Sequence, residues 1–197
     1  MEDYMSGKLE KKIIYFDSQG EHNTDEALDS AVAYCRGSGL RTIVLASSTG
    51  ATALKLKQKA GADIDVIAVT YGAGTRFAEE VAEFNKNQAA LLAAGIIIVR
   101  GVHALSGVER TFENKYKTGF MPLNLVSDTL RLISQGMKVC VEVSVMAAEA
   151  GHISPQQDVV VLGGSGEGAD TAVLMNPAYA ASLFSLKIKE ILCMPRG

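Results

Sequence analysis

Thr42-Ile43-Val44-Leu45-Ala46-Ser47-Ser48-Thr49-Gly50-Ala51-Thr52 is the stretch on which the fold turns. Its first half is apolar and β-branched with no polar alternation, the pattern of a strand buried on both faces. Its second half, small and hydroxylated around a glycine, leads into a helix that runs through Ala60 and ends at Gly61. The same unit then recurs downstream. Asp65 to Thr70 is a second buried strand, Tyr71-Gly72-Ala73-Gly74 a turn, and about Ala78 to Ala94 a helix closed by Gly95. Ile96 to Val99 is a third buried strand, leaving through Arg100-Gly101. Strand, helix, strand, helix, strand with glycine at the switches is the sequence form of right-handed parallel βαβ units. Upstream, Ile13 to Phe16 reads as a short strand. Asn23 or Thr24 caps a helix with Asp25 and Glu26 in its first turn and Ala27, Leu28, Ala31, Val32 and Cys35 at helical spacing. Gly37 and Gly39 stop it.

Downstream, Val102 to Pro122 is polar and glycine-punctuated, too long for an ordinary connection, and is either functional or partly helical. An amphipathic helix follows from Leu123 to Gln135, with Leu125, Leu130 and Ile133 apolar. Lys138 to Ala150 fits both periods: Val139, Val141, Val143 and Val145 alternate, while Val139, Val143, Met146, Ala147 and Ala150 share a helical face. Val159 to Leu162 is a strand, Gly163 to Gly168 a glycine-rich loop, Thr171 to Leu174 a strand, and Ile188 to Met194 a last, edge strand. The expectation is one α/β domain over 1–197, with 1–11 a flexible or peripheral segment.

Bulk properties narrow the function. A chain of 197 residues, 48% hydrophobic and 21% charged, is globular rather than disordered. A net charge of −3 gives no bulk reason to bind nucleic acid or an anionic membrane. The longest nearly unbroken apolar run, Ala89 to Val99, falls short of the ~20 residues of a membrane span. No secretory h-region precedes Lys12. Cys35, Cys140 and Cys193 are too far apart for a zinc knuckle and read as buried reduced thiols, which favours the cytoplasm. His22, His103 and His152 have no i, i+4 pairing, so no metal is expected.

The strongest chemical signal is Ser47, Ser48, Thr49, Gly50, Ala51 and Thr52 between strand and helix. Unblocked N–H groups at a helix start, with hydroxyls converging on them, form a phosphate cradle. Lys is absent from the position that a P-loop ATPase or GTPase requires. The competing reading is an ordinary helix cap. Gly163, Gly164 and Ser165 open a loop that only loosely resembles a dinucleotide fingerprint, since a strand follows it. It reads equally as a plain turn or a ligand contact. Thr70, Tyr71 and Gly72, and then Gly101 and His103, leave neighbouring strands at the same end, where open parallel sheets bind ligands. Tyr71 could stack on a planar ring, and His103 or Arg100 donate to its oxygens. A buried Glu142 needs a partner or a raised pKa, and a structural pair is the simpler solution. Lys55, Lys57 and Lys59 read as a solvated helix face.

Six segments carry a resemblance: Ala46 to Ala53, Val69 to Tyr71, His103 to Arg110, Lys138 to Val143, Gly168 to Val173 and Ile188 to Arg196. Taken together, from Lys12 to Arg196, they resemble stand-alone proteins built on the pyruvate kinase α/β (C-terminal) domain. The resemblance implies a three-layer, doubly wound, mostly parallel sheet with helices on both faces and an antiparallel strand near the C-terminus. It also implies that Lys138 to Ala150 is helix. The pyruvate kinase loop matching Ser47 to Thr52 holds a sugar-phosphate effector, and stand-alone members look like FMN binders. By that likeness Ser47, Ser48, Thr49, Gly50 and Thr52 would hold the FMN phosphate, with the ring near Tyr71, His103 and Gly163 to Ser165, and His103 or Arg110 at its edge. Kinase activity is not implied, because the catalytic barrel is not in this sequence. The expected function is an FMN-binding protein or flavin-dependent oxidoreductase. The alternatives are a non-catalytic phosphometabolite-binding module and a homo-oligomeric scaffold with an empty groove.

Overall fold

The computed structural model describes residues 8–117 and 119–196. Of the peripheral segment expected over 1–11, residues 1–7 lie outside this range, and 8–11 are exposed coil. The elements run β1 (Ile14–Phe16), α1 (Thr24–Ser38), β2 (Thr42–Ala46), α2 (Ala51–Ala60), β3 (Asp65–Tyr71), α3 (Ala78–Ala93) and β4 (Ile97–Gly101). Then come α4 (Glu109–Tyr116), α5 (Pro122–Arg131), α6 (Gln135–Glu149), β5 (Val159–Gly163), β6 (Thr171–Asn176) and β7 (Lys187–Pro195). The strands form one seven-stranded sheet in the order β1-β7-β6-β5-β2-β3-β4. β6 alone runs against its neighbours, β5 and β7. The remaining pairs are parallel.

Alternation along the central strands builds two cores. Ile43 and Leu45 of β2 point to one face with Phe84 of α3 and Leu28 of α1. Val44 points to the other with Met137, Val141 and Val143 of α6. Each fully buried large aliphatic contributes ~1.5–3 kcal/mol, which is why both faces of these strands read as uniformly apolar. The helix reading of 138–150 holds, because α6 lies flat on the sheet with most of its residues buried. Among the described residues, no helix is long and apolar enough to cross a membrane.

Several boundaries differ from expectation. β7 is not an edge strand: it sits between β1 and β6, and Cys193 pairs with Ile14. β1 is only three residues long, too short to announce that it covers a neighbour. The edges are β1 and β4, and Ile97 of β4 is exposed although its run reads as buried. The helix expected over 123–135 stops at Arg131, and Ser134 begins a new one by accepting the Met137 N–H at 2.9 Å. Leu125 within α5 and Ile133 in the break are both exposed. Asn23 occupies the N-cap position of α1, as expected, but its side chain makes no capping hydrogen bond. Asn23 Nδ2 donates to the Ser18 carbonyl, and Thr24 Oγ1 accepts the Ala169 N–H at 3.1 Å. Gly37 lies within α1, and Gly39 ends it. The lysines of α2 are not simply solvated. Lys55 and Lys59 pair with Asp25 and Asp29 of α1 at 2.7 Å, and Lys57 donates to the Ile64 carbonyl.

Candidate functional site

Register decides where the strands let go. Ala46 lies beside Val69, Leu45 beside Leu162, and Thr70 beside Arg100, so the loops after β2, β3, β4 and β5 leave the sheet at one edge. Between β2 and β5 the chain direction of travel reverses: β2 leads to α2 on one face, while β5 is reached from α6 on the other. Such switch points open a crevice at the carboxyl ends of strands. Here the crevice is a cavity of about 690 Å³, bounded also by the first turns of α1, α2 and α6.

On the α2 side, the loop is braced from behind. Ser47 N–H donates to the Val69 carbonyl at 2.9 Å, and the Thr49 carbonyl accepts Asn87 Nδ2 at 2.9 Å. Gly50 begins the helix at φ 87, and a Cβ there would meet Leu91 at 2.9 Å, so only glycine lets the loop close against α3. The Ser47 hydroxyl is buried with no hydrogen-bond partner among the described residues, and Ser47 is one of the residues that line the cavity. An orphaned buried hydroxyl costs ~1–3 kcal/mol, a cost that a ligand oxygen would remove. Beside it stand Ser48, Thr49 and Thr52 at the opening of α2, where Thr49 Oγ1 accepts the Ala51 N–H at 3.4 Å. Lys55 follows one turn later.

The opposite wall is aromatic and ionic. Tyr71 stacks on Phe77 with centroids 4.7 Å apart and leans on His103 at 5.5 Å. Burial, with Glu80 and Glu142 nearby, pushes the Tyr71 hydroxyl above its ordinary pKa. Glu142 is the buried centre of a cluster. Its Oε2 accepts from Lys138 Nζ at 2.6 Å and His103 Nδ1 at 3.2 Å, and its Oε1 accepts the Leu105 N–H at 3.2 Å. Burial pushes this carboxyl up. The hydrogen bond from His103 and the Lys138 charge outweigh burial and hold it at about 2. Val139, Val143 and Met146 of α6 supply an apolar floor. Lys55, Arg76, Arg110, Arg131 and Lys138 line the cavity with Glu21, Glu142 and Glu167, and Lys55 and Arg131 are paired with Asp25 and Asp128 at 2.7 Å.

Of the residues expected at the site, Ser47, Ser48, Thr49, Ala51, Thr52, Thr70, Tyr71, His103 and Gly164 line this cavity, as does Arg110. Gly50, Gly72, Gly101, Gly163 and Ser165 do not. Gly72 and Gly101 lie against each other at the ends of β3 and β4, and Gly163 is pressed under the Gly136 carbonyl of α6. Ser165 is held inward by its N–H on Asp170 Oδ2, with its hydroxyl buried and unpartnered. Arg100 turns away to Asn85 and the Phe84 ring. Tyr71 stacks on Phe77, not on an open face. Arg76, Phe77, Lys138, Arg131 and Gln135 also line the cavity, beyond the residues expected there. Lys138 and Glu142 at i, i+4 in an apolar stretch were the available signal.

The family profile described as "Pyruvate kinase, alpha/beta domain" matches residues 25–175. That is most of the chain, and it shows that the chain belongs to this family.

Proposed function

We propose that this member of the pyruvate kinase α/β-domain family binds FMN in the cavity and acts as a flavin-dependent oxidoreductase. The observation that carries the reading is the buried, unpartnered Ser47 hydroxyl at the amino end of α2. A phosphate oxygen there satisfies the hydroxyl, meets the helix dipole and takes the first-turn amides. Ser47, Ser48, Thr49 and Thr52 would hold the phosphate, with Lys55 adding charge. The aromatic wall of Tyr71, Phe77 and His103 and the floor of Val139, Val143 and Met146 suit a flat, mostly apolar ring, and 690 Å³ falls within the range of cofactor-sized pockets. Bound flavin would supply the electron-transfer chemistry. The protein's part is to anchor the phosphate, exclude water along α6 and present His103 and Arg110 to the ring. Three buried free cysteines support a reducing, cytoplasmic setting.

One observation favours a second reading. Arg76 and Arg110 line the cavity in addition to the residues of the hydroxyl loop, a polar and charged lining that suits a phosphometabolite-binding regulatory module. A titration separates the two. Flavin fluorescence with FMN and riboflavin should show FMN binding ~100-fold tighter, the equivalent of two charge-assisted hydrogen bonds. Equal affinity for both flavins would remove the phosphate role, and a melting temperature raised by sugar phosphates but not by FMN would establish the second reading.

A further inference from the structure

The cluster around Glu142 contains more than the fold requires. Lys138 at 2.6 Å already neutralises this buried carboxylate, and the Leu105 N–H already fixes its second oxygen. The third donor, His103, is different in kind: its side chain is 31% exposed while that of Glu142 is 5% exposed, and it lines the cavity. An ionised carboxylate only accepts, so the ring nitrogen facing it, Nδ1, carries the proton. In the neutral ring, the lone pair then belongs to Nε2, on the edge away from Glu142.

We infer that the cavity is a site of proton transfer, with His103 Nε2 as the group that takes a proton from, and returns it to, the bound ligand. Glu142 is its positioning residue. In the forward step the ligand X–H bond breaks, its electron pair stays on the ligand, and an N–H bond forms at Nε2. The imidazolium so created lies against the Glu142 carboxylate, and the reverse step restores both partners. Other charged or titratable groups at the ring are Tyr71 at the end of β3, which leans on it, and Lys138 on α6, which shares Glu142 with it; Arg76 and Arg110 line the same cavity and would compensate the anion formed on the ligand. The ligand class is a phosphorylated compound that carries, away from its phosphate, an acidic O–H, N–H or a C–H beside a carbonyl. The inference rests on the proposed ligand cavity, though not on the ligand being FMN.

Three histidines in the chain make the test direct. Long-range ¹H–¹⁵N spectra of histidine-labelled protein, at about pH 8.5 so that an ordinary imidazole is neutral, are assigned with His103→Gln. The expected result is one tautomer for His103, protonated at Nδ1, with diethyl pyrocarbonate acylating Nε2 in the folded protein. Glu142→Gln should mix the tautomers and slow acylation roughly tenfold or more, as a misplaced tautomer does in other His–carboxylate pairs. Lys138→Met, which keeps the carboxylate, should preserve the tautomer and guards against a Glu142→Gln protein that fails to fold. Added FMN should shift the Nε2 resonance and block acylation. A protonated Nε2, or a folded protein inert to the reagent, overturns the inference, as does FMN bound by fluorescence with His103 unmoved. If FMN does not bind but the tautomer and the acylation stand, the flavin reading fails and this one holds.

Discussion

Acid should dismantle this protein through Glu142, by an amount the structure allows to be worked out. The carboxyl is held at about 2 against an ordinary 4.5, a depression of roughly 2.5 units. At about 1.36 kcal/mol per unit this linkage contributes ~3 kcal/mol. The sign follows from the direction. A folded-state pKa below the unfolded one gives stability that is complete above 4.5 and drains away as pH falls from 4.5 towards 2. Urea unfolding at about pH 7, 5, 4, 3 and 2.5 should therefore show wild type losing about 3 kcal/mol more than Glu142→Gln across the acid range. Near pH 7 the variant should start ~3–5 kcal/mol below wild type, because Lys138 keeps a buried ammonium without its partner. Replacing both residues by methionine should recover most of that loss, since no unpaired charge remains. Parallel stability–pH curves for wild type and Glu142→Gln would mean that the folded protein does not hold the Glu142 carboxyl ionised below its ordinary range.

Three further outcomes follow from the same geometry. Ser47→Ala deletes a buried hydroxyl that has no partner, so urea unfolding should show stability unchanged or raised by up to ~1 kcal/mol while calorimetry shows FMN affinity falling about tenfold. Gly168 sits at φ 72 with its missing Cβ aimed at Thr24 Oγ1, so Gly168→Ala should lower thermal stability by ~2 kcal/mol or more as the loop lifts from α1. Burial raises the Cys35 thiol to about 11, the Cys193 thiol to about 12 and the Cys140 thiol well above its ordinary value; none should react with a disulfide reagent until the protein unfolds.

The parallel layers were legible because Thr42 to Ala46 and Asp65 to Thr70 lack polar alternation, and a strand with two covered faces leaves no other trace. Edges were not legible. Whether β4 or β7 is covered depends on where β1 inserts, a pairing between residues about 180 apart with no local signature. The helix break at Ser134 was visible in type, since serine before a helix is a cap, yet the apolar Leu132 and Ile133 masked it. At the site, the hydroxyl-rich turn and His103 could be found because each follows a strand directly. Arg76, Phe77, Arg131 and Gln135 could not, since they reach the cavity from a loop and from helix ends that only tertiary packing brings together. Gly163 at the end of β5 misled because close packing under α6 and close approach to a ligand demand the same residue.

The central claim is that a phosphoryl group sits at the amino end of α2. A crystal structure of the protein soaked with FMN, set beside that of the Ser48→Asp, Thr49→Asp variant, tests it most directly. Phosphate density is expected within hydrogen-bond distance of Ser47 Oγ in the first crystal and none in the second. Phosphate density elsewhere in the cavity, or binding that survives the two aspartates unchanged, would contradict it.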